Sequence, residues 1–582
     1  MTTRVLPIAQ SSTLVTFTIL VNDQPLPQNF PLLGIEVINE VNKIPSASLF
    51  FSDGNAATGE WRLSNEAFFV PGNEVTIQVG YHSEEETIFT GIVVGQSMRV
   101  RSNRLELQII LKDKAVVLTT TRKSRHFQDS TDSDAVSEIL GDYELDEGEI
   151  ASTDITHTDL VQFDSTDWDF MVMRMEANGL VCVFTDGSLT VVEPTTDGDA
   201  VATIQLGANV LEFDGDINAL RQWGSVSTKA WDPAAQDYAE GESNPTAWTT
   251  PGNLTADDLA SVAGSTVQNF LHGGAVTAEE LQCWADAQAL RSRMSFSRGR
   301  VRVKGISTVV PGSIVELAGF GDRFNGLVWV SAVRNEIANG GWSTDIEFGM
   351  SEEWHAKKYE VSSMPANGML AAVSGLHTGV VTALEGDPLS ESRIRVKVPS
   401  INLEGDGVWA RVATLDAGDS RGSFFLPEID DEVLVGFLND DPRHPVVLGM
   451  LHSSALPPPN EATDDNHIKG FYSRTGIRIQ FDDEKTILTI DTPGGHSFIL
   501  DDDAGEITLL DSNSNSITMS SSGIAVESAG DLTFKASKNV KIEAQTNLEL
   551  KATAQYKAEG SAGVEINSSA VTVVKGSLVQ IN

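Results

Sequence analysis

Cysteine is nearly missing from this 582-residue sequence, with Cys182 and Cys283 the only two. Two thiols supply neither a disulfide framework nor a cysteine-based zinc site, and both are expected as buried thiols. Basic residues are the second shortage. Forty Lys and Arg stand against 82 Asp and Glu, a formal net charge of −42, which opposes binding to nucleic acid or anionic lipid because both would repel the chain. Long apolar runs are missing too. Nothing approaches eighteen consecutive apolar residues, and Met1 to Gln10 holds one Arg without the apolar stretch of a signal peptide. The expectation is a chain made and folded in the cytoplasm, with any export by another route. At 582 residues and 41% hydrophobic content it has room for three or four globular domains.

Catalytic signatures are also scarce. His-Glu-x-x-His, Gly-x-Gly-x-x-Gly and the P-loop pattern do not occur, and no nucleophile elbow is expected. Gly319-Phe-Gly-Asp-Arg-Phe-Asn-Gly326 misplaces its third glycine and reads as a turn between strands. Asp53, Asn55 and Glu60 mimic a calcium loop without its remaining ligands, and the acidic run Asp501-Asp-Asp503 reads as a hairpin turn before a strand at Glu506 to Leu510. No catalytic residue, cofactor site or metal site is expected.

What is abundant is repetition. From Gly523 on, Ile524/Val526, Leu532/Phe534, Val540/Ile542, Leu548/Leu550, Tyr556/Ala558 and Val564/Ile566 take equivalent places in six consecutive octads. Two apolar residues two apart share one face of a short strand, while Thr533, Lys541 and Glu549 point outward. A small residue follows four places after each first apolar residue (Ser528, Ala536, Ala544, Ala552, Gly560, Ser568). Turn formers Gly523, Asp531, Asn539, Asn547 and Gly563 precede five of the six pairs, Gln555 being the exception. These mark corners. One strand and one corner use all eight residues, whereas a single-chain solenoid takes about twenty or more to travel round a turn. Three chains can close what one cannot, so the repeat argues for an intertwined homotrimeric β-helix. At about 4.8 Å per strand, six octads rise roughly 30 Å. The alternative arrangement is an antiparallel meander.

Upstream, short alternating strands at Val15 to Val21, Ser46 to Phe51, Glu74 to Val79, Ile88 to Val94 and Leu105 to Leu111 predict a β-barrel, with Glu84, Glu85 and Glu86 at a hairpin tip. Its strand entry Val70-Pro-Gly-x-x-Val75 returns as Val310-Pro-Gly-x-x-Val315, each followed by an aromatic, a residue, Gly and an apolar strand. This looks like a duplicated barrel, and three chains with two such units each would present six to a sixfold partner. Capping boxes at Thr131/Asp134, Thr166/Asp169 and Thr277/Glu280 start helices; the second stops at Asn178-Gly179 and the third at Arg291 and Arg293, which suit the helix dipole. Ala235 to Thr255 reads as a loop. Gly375 to His452 predicts five strands of an OB-type barrel, and its thirteen acidic against six basic residues argue against a nucleic-acid groove. Leu456-Pro-Pro-Pro459 ends it.

At this point the chain resembles the VgrG-like spike of contractile injection systems, kin to the hub and spike of phage tails. The similarity rests on Phe69-Val-Pro-Gly-Asn-Glu-Val75, Ile88-Phe-Thr-Gly-Ile-Val93, Thr131-Asp-Ser-Asp-Ala-Val-Ser-Glu-Ile-Leu140, Trp168-Asp-Phe170 with Glu176-Ala-Asn-Gly179, and Trp409-Ala-Arg-Val-Ala413. Above all it rests on Pro427-Glu-Ile-Asp-Asp-Glu-Val-Leu-Val-Gly-Phe437 and Asp440-Asp-Pro-Arg-His-Pro-Val-Val-Leu-Gly449, immediately before the octads. It implies a mainly β fold with some α. Residues 1–125 would form a first hub β-barrel, 126–235 a helical insertion, 236–295 a loop and helical segment, and 296–370 a second hub barrel. An OB-fold domain follows at 371–455, a linker at 456–466, and a trimeric β-helix needle at 467–582. Implied partners are two further copies, a hexameric inner-tube protein, baseplate hub proteins, a PAAR-like tip protein at the needle end and a target cell envelope, with no nucleic acid and no cofactor.

Departures from the family sharpen the expectation. Some relatives insert a lysozyme before the needle, where only residues 456–466 fit here, and others add an effector enzyme past it, whereas this sequence stops at Asn582. No His-x-His stands near the end, the last histidine being His496. The expected function is a non-enzymatic spike, more like that of free extracellular particles than of anchored secretion systems. The rival is a tail-spike-type glycan-binding or glycan-cleaving protein. Such proteins display acids with aromatics along a wide helix, whereas the last of ten tryptophans here is Trp409.

Overall fold

The computed structural model describes residues 14–581 other than 103, 144, 245, 263, 265, 266, 402 and 403; Met1 to Gln10, read above for its lack of a leader, lies outside them. The chain divides into two compact units. One spans residues up to 373 together with 439–442, and the other spans 374–438 and 443 onward.

In the first unit the strands β1 (Val15–Val21), β2 (Leu32–Glu40), β3 (Ser46–Ser52), β4 (Glu74–Tyr81), β5 (Glu84–Arg101) and β6 (Arg104–Lys112) pair in the order β1-β4-β5-β6-β3-β2. They wrap a core of Ile35, Val37, Leu49, Phe51, Val75, Ile77, Val93, Ile109 and Leu111. The sequence reading missed β2, and placed Glu84 to Glu86 at a tip that belongs to His82 and Ser83, both at positive φ. Then come α1 (Asp132–Gly141) and α2 (Asp167–Ala177), each started by the expected threonine, whose hydroxyl accepts the N–H of Asp134 or Asp169.

The second copy begins earlier than the 296–370 segment. Strands β7 (Ala202–Gln205) and β8 (Val210–Ile217) join β9 (Ser297–Lys304), β10 (Ile314–Ala318), β11 (Gly326–Ala338) and β12 (Gly341–Phe348) in the order β7-β10-β11-β12-β9-β8. The reason is an insertion. Where β2 turns into β3 within five residues, β8 and β9 are separated by residues 218–296. These hold a three-stranded sheet and α3 (Ala278–Met294), and the segment read as a loop at Ala235 to Thr255 contains the strand Asp237–Glu242.

The copies match in detail. Gly72 N–H donates to Val93 O and Val93 N–H to Asn73 O, both at 2.9 Å; Gly312 N–H donates to Val330 O at 2.8 Å and Val330 N–H to Ser313 O at 2.9 Å. Each long strand then bulges at the same step, Val93/Gly95 against β6 and Val330/Ala332 against β12. One strand differs, since β1 runs antiparallel to β4 while β7 runs parallel to β10. The two copies are not separate sheets. The second half of β11 pairs with β2, from Ala332 opposite Glu40 to Ala338 opposite Gly34, so both copies belong to one thirteen-stranded sheet.

In the second unit β13 (His377–Ala383), β14 (Ile394–Lys397), β15 (Val408–Val412), β16 (Glu432–Phe437) and β17 (Pro445–Met450) close a five-stranded barrel around Val381, Val396, Ala410, Val433, Val435 and Val447. Beyond it, residues 467–582 do not form one uniform repeat. Seven strands, β18 (Ile468–Tyr472), β19 (Arg478–Asp482), β20 (Ile487–Asp491), β21 (Ser497–Asp501), β22 (Glu506–Leu510), β23 (Ser516–Ser520) and β24 (Gly523–Glu527), make an antiparallel meander within one chain. Its strands start nine or ten residues apart as far as Ser516, and the last hairpin, from Ser516 to Gly523, takes a step of seven. The first octad pair, Ile524 and Val526, therefore sits on the last meander strand, and after Glu527 no strand pairing occurs among the described residues.

Candidate functional site

The octads leave a row of large apolar side chains unpartnered within the chain. Backbone bends fall at 529–530, 537–538, 545–546, 553–554, 561–562, 569–570 and 577–578, every eighth residue, between the small residue and the turn former of each octad. Between bends the chain is extended, and the side chains read as inward-facing all stand free in the single chain: Phe534 is 75% exposed, Ile566 78% and Leu550 61%. Leu532, Val540, Ile542, Leu548, Tyr556 and Val564 are exposed as well, as is Ala558. On the polar side Lys541 pairs with Glu543 and, two octads on, Lys557 with Glu559. Water is a poor solvent for such a row, and burying it is the dominant favourable term open to the segment.

The meander prepares the same face. Its register sets Phe471, Ile479, Ile490, Phe498, Leu509, Ile517 and Val526 in one cross-strand row, and Phe481, Leu488, Leu500, Ile507, Met519 and Ile524 in a second row on the same face. The reverse face carries Gln480, Thr489, Thr508 and Thr518, with Ile499 between the second and third of these. A single layer with one apolar face needs something laid against it. Phe471 stacks on Phe425 of the OB barrel at 5.7 Å between centroids, and Arg474 reaches Glu428 at 2.6 Å, so the sheet leaves the barrel at a fixed point.

In the first unit, helix ends meet in a buried ionic knot. Arg291 lies 3.1 Å from Glu176 and donates to the carbonyls of Ser351 and Glu353; Glu176 also accepts from Asn42 and from the backbone of His355, whose ring meets Asp169 at 2.7 Å. Burial lowers the Arg291 pKa, although the Glu176 carboxylate opposes it. Sequence reasoning had given Arg291 only to the helix dipole. Asp132 is equally enclosed: burial would raise its carboxyl, but hydrogen bonds from Arg174 and Asn178 override this and hold it below the usual range. Beside the knot a cleft of about 620 Å³ is lined by Glu40, Lys43, Glu347 and Arg300 among others. Burial lifts Glu347, and Lys43 is engaged by Glu40. Among the described residues the cleft shows no nucleophile hydrogen-bonded to an adjacent base.

Cys182 is buried as expected and burial raises its pKa far above the ordinary value, whereas Cys283 is only half-buried, its pKa pushed up to about 11 chiefly by the burial it has. The Gly-x-Ser-x-Gly spelling, which sequence inspection passed over, does occur as Gly418-Asp-Ser-Arg-Gly422. It forms a two-residue hairpin between Ala417–Gly418 and Arg421–Gly422, with Ser420 bonded to Asp419. A nucleophile elbow needs a strand-to-helix turn, and this is none. Asp53 caps the N–H groups of Leu63 and Ser64, and Asp501 accepts from Ala504 in its turn, both as read.

The family described as Alg8 N-terminal domain matches residues 11–339, and the type VI secretion system/phage-baseplate injector OB domain matches residues 377–452, over the five-stranded barrel. Among curated proteins, the type VI secretion system spike protein VgrG1b of Pseudomonas aeruginosa is 24% identical over 438 residues, which is 69% of this chain and 57% of that protein, so the chain spans little over half of that relative's length. Among solved structures, the 43 kDa tail protein of prophage MuSo2 from Shewanella oneidensis aligns with TM-score 0.45 and 11% identity over 58% of this chain and 98% of its own. A chain of the Francisella PdpA-VgrG complex aligns with TM-score 0.38 and 10% identity over 90% and 89%. On the family match across more than half its length, the chain belongs to the family described as Alg8 N-terminal domain, and it is similar to VgrG spike proteins.

Proposed function

We propose that three copies of this chain form the central spike of a contractile injection particle, without catalysis, adapting a hexameric inner tube to a puncturing needle. The observation that carries the reading is the octad row: eleven of its twelve core side chains are large apolar groups left bare by one chain, on a backbone that bends every eight residues. Three such rows facing one axis bury each other, layer by layer. The meander supports the same assembly, since its two apolar rows run into Ile524 and Val526 and three sheets can close over them. The duplicated hub copies support the tube role, because a threefold chain then offers six like surfaces.

In this reading baseplate hub proteins surround the spike, a PAAR-like tip protein closes the needle, and the target is a cell envelope. On the resemblance alone, the chain is made in the cytoplasm and leaves in a particle released outside the producing cell. Sedimentation of the purified protein at micromolar concentration tests the core of the proposal. A stable trimer is expected, and a well-folded monomer would overturn it.

A further inference from the structure

The insertion at residues 218–296 carries a small sheet with one covered face and one bare face. Its middle strand, Ser225–Asp232, runs antiparallel to Asp237–Glu242 and parallel to Val267–His272. On the covered face Val226, Thr228 and Ala230 are buried. Val226 packs with Ala285 and Ala289 of α3, and the Thr228 hydroxyl donates to the carbonyl of Leu281 at 2.7 Å. Alternation along the strand then sends Lys229 and Trp231 to the other face, where the register adds Tyr238 and Glu240 from one neighbour and Val267 and Leu271 from the other. Trp231, Tyr238, Val267 and Leu271 are all exposed, Leu271 to 74%. Trp231 and Tyr238 meet edge to face at 5.5 Å between centroids, and Lys229 is taken up by Glu240. Four large apolar groups gathered on so small a face make a contiguous patch, which marks an interaction surface where scattered side chains would not.

The border of the patch is acidic. Lys229 is its one cation among the described residues and is already paired, while Glu242 on the same face and Asp237 at the hairpin end stand exposed. A further copy of this chain, at a net charge of −42, is the wrong cover for such a border. The inner tube is the wrong cover as well. The insertion interrupts only the second of the two copies, so a trimer displays the patch three times, and a sixfold ring meeting it would leave alternate subunits without a partner.

We propose that this face docks a protein other than the tube and other than this chain, through a segment that sets Lys or Arg around one or two apolar side chains. The count of three sites rests on the trimer reading above; the patch itself does not. Apolar side chains of the partner cover Trp231, Tyr238 and Leu271, the residue types that anchor interfaces, and its cations meet Asp237 and Glu242, which select a basic partner and exclude acidic ones.

The test replaces Tyr238 with the photo-crosslinker p-benzoylphenylalanine in the full-length protein, irradiates purified particles, and identifies the adduct by peptide mass spectrometry. The expected product joins position 238 to a basic segment of one other particle protein. Adding Asp237→Lys with Glu242→Lys should lower its yield about tenfold, the effect of removing two favourable charge contacts, while sedimentation of the purified chain stays unchanged. An adduct with the tube protein or with a second copy, a yield indifferent to the charge reversal, or particles that give no adduct would overturn the docking surface. A trimer by sedimentation with any of these results leaves the spike reading standing. A monomer that enters no particle removes both.

Discussion

Val526 lies directly across from Ile517 in the last rung of the meander, and through that pair the sheet hands its apolar face to the octads. The same row begins at Phe471 beside the OB barrel and crosses all seven strands without a polar residue. Meander and octad are thus two ways of presenting one stripe. The meander pairs its own backbone, whereas among the described residues the octads pair no strand and leave their apolar side chains exposed, so the distal part has the greater need of something laid against it.

Leu550→Asp would place three carboxylates in one apolar layer of the proposed needle, each costing several kcal/mol when desolvated without a partner. Glu549→Lys changes only the outer face, where single charges contribute at most about 1 kcal/mol. Thermal melting followed by circular dichroism should show a large loss for the first and almost none for the second. Equal melting of the two variants would reverse the inward and outward assignment.

Acid should weaken the hub through Asp132. Its carboxyl is held below its ordinary value of about 3.9 by Arg174 and Asn178. The stability it contributes is therefore fully present above about pH 4 and is lost as pH falls through the lowered folded value. Asp132→Asn should melt lower than the parent chain at pH 7, and the gap should narrow below about pH 4. Glu347, raised by burial, shifts stability in the opposite sense but is common to both proteins and cancels in the difference. A gap that widens in acid would contradict the assignment.

Gly72 and Gly312 hold the same turn at φ of +100° and +88°, with open space where a Cβ would sit. Backbone strain alone should then make Gly72→Ala and Gly312→Ala cost about 1–2 kcal/mol each. Denaturant midpoints of the two variants should fall by similar amounts. A large disparity would mean that the turns are alike in outline only.

Much of this was legible in the sequence, for identifiable reasons. The octad corners could be placed because a small residue and a turn former recur at fixed steps, and the strands Val15–Val21 and Glu432–Phe437 because one face of each is apolar. Strand β2 was missed because Ile38, directly after Val37, interrupts the alternation of Ile35 and Val37. Strand β8 was hidden by Glu212, Asp214 and Asp216, whose spacing belongs to an exposed edge rather than a core. The pairing of β11 with β2 lies between segments some three hundred residues apart and leaves no local signal. Arg291 looked like a dipole partner because its true partner, Glu176, sits on another helix.

The hub should meet its tube through the parts of the two copies that are alike. A six-subunit ring resting on a threefold spike with one foothold per chain would leave alternate tube subunits without a partner, so both copies must contribute. Strands β4, β5 and β6 repeat as β10, β11 and β12 down to the bulge, whereas β1 and β7 run in opposite directions and residues 218–296 interrupt only the second copy. Those differences break sixfold symmetry wherever they are exposed, and tube contacts should avoid them. In a reconstruction of the spike bound to its inner tube, rotation by about sixty degrees should superpose the first copy on the second of a neighbouring position. Tube density should touch equivalent residues of each. Contacts drawn from only one copy would leave the duplication as a relic of ancestry, with the needle unaffected.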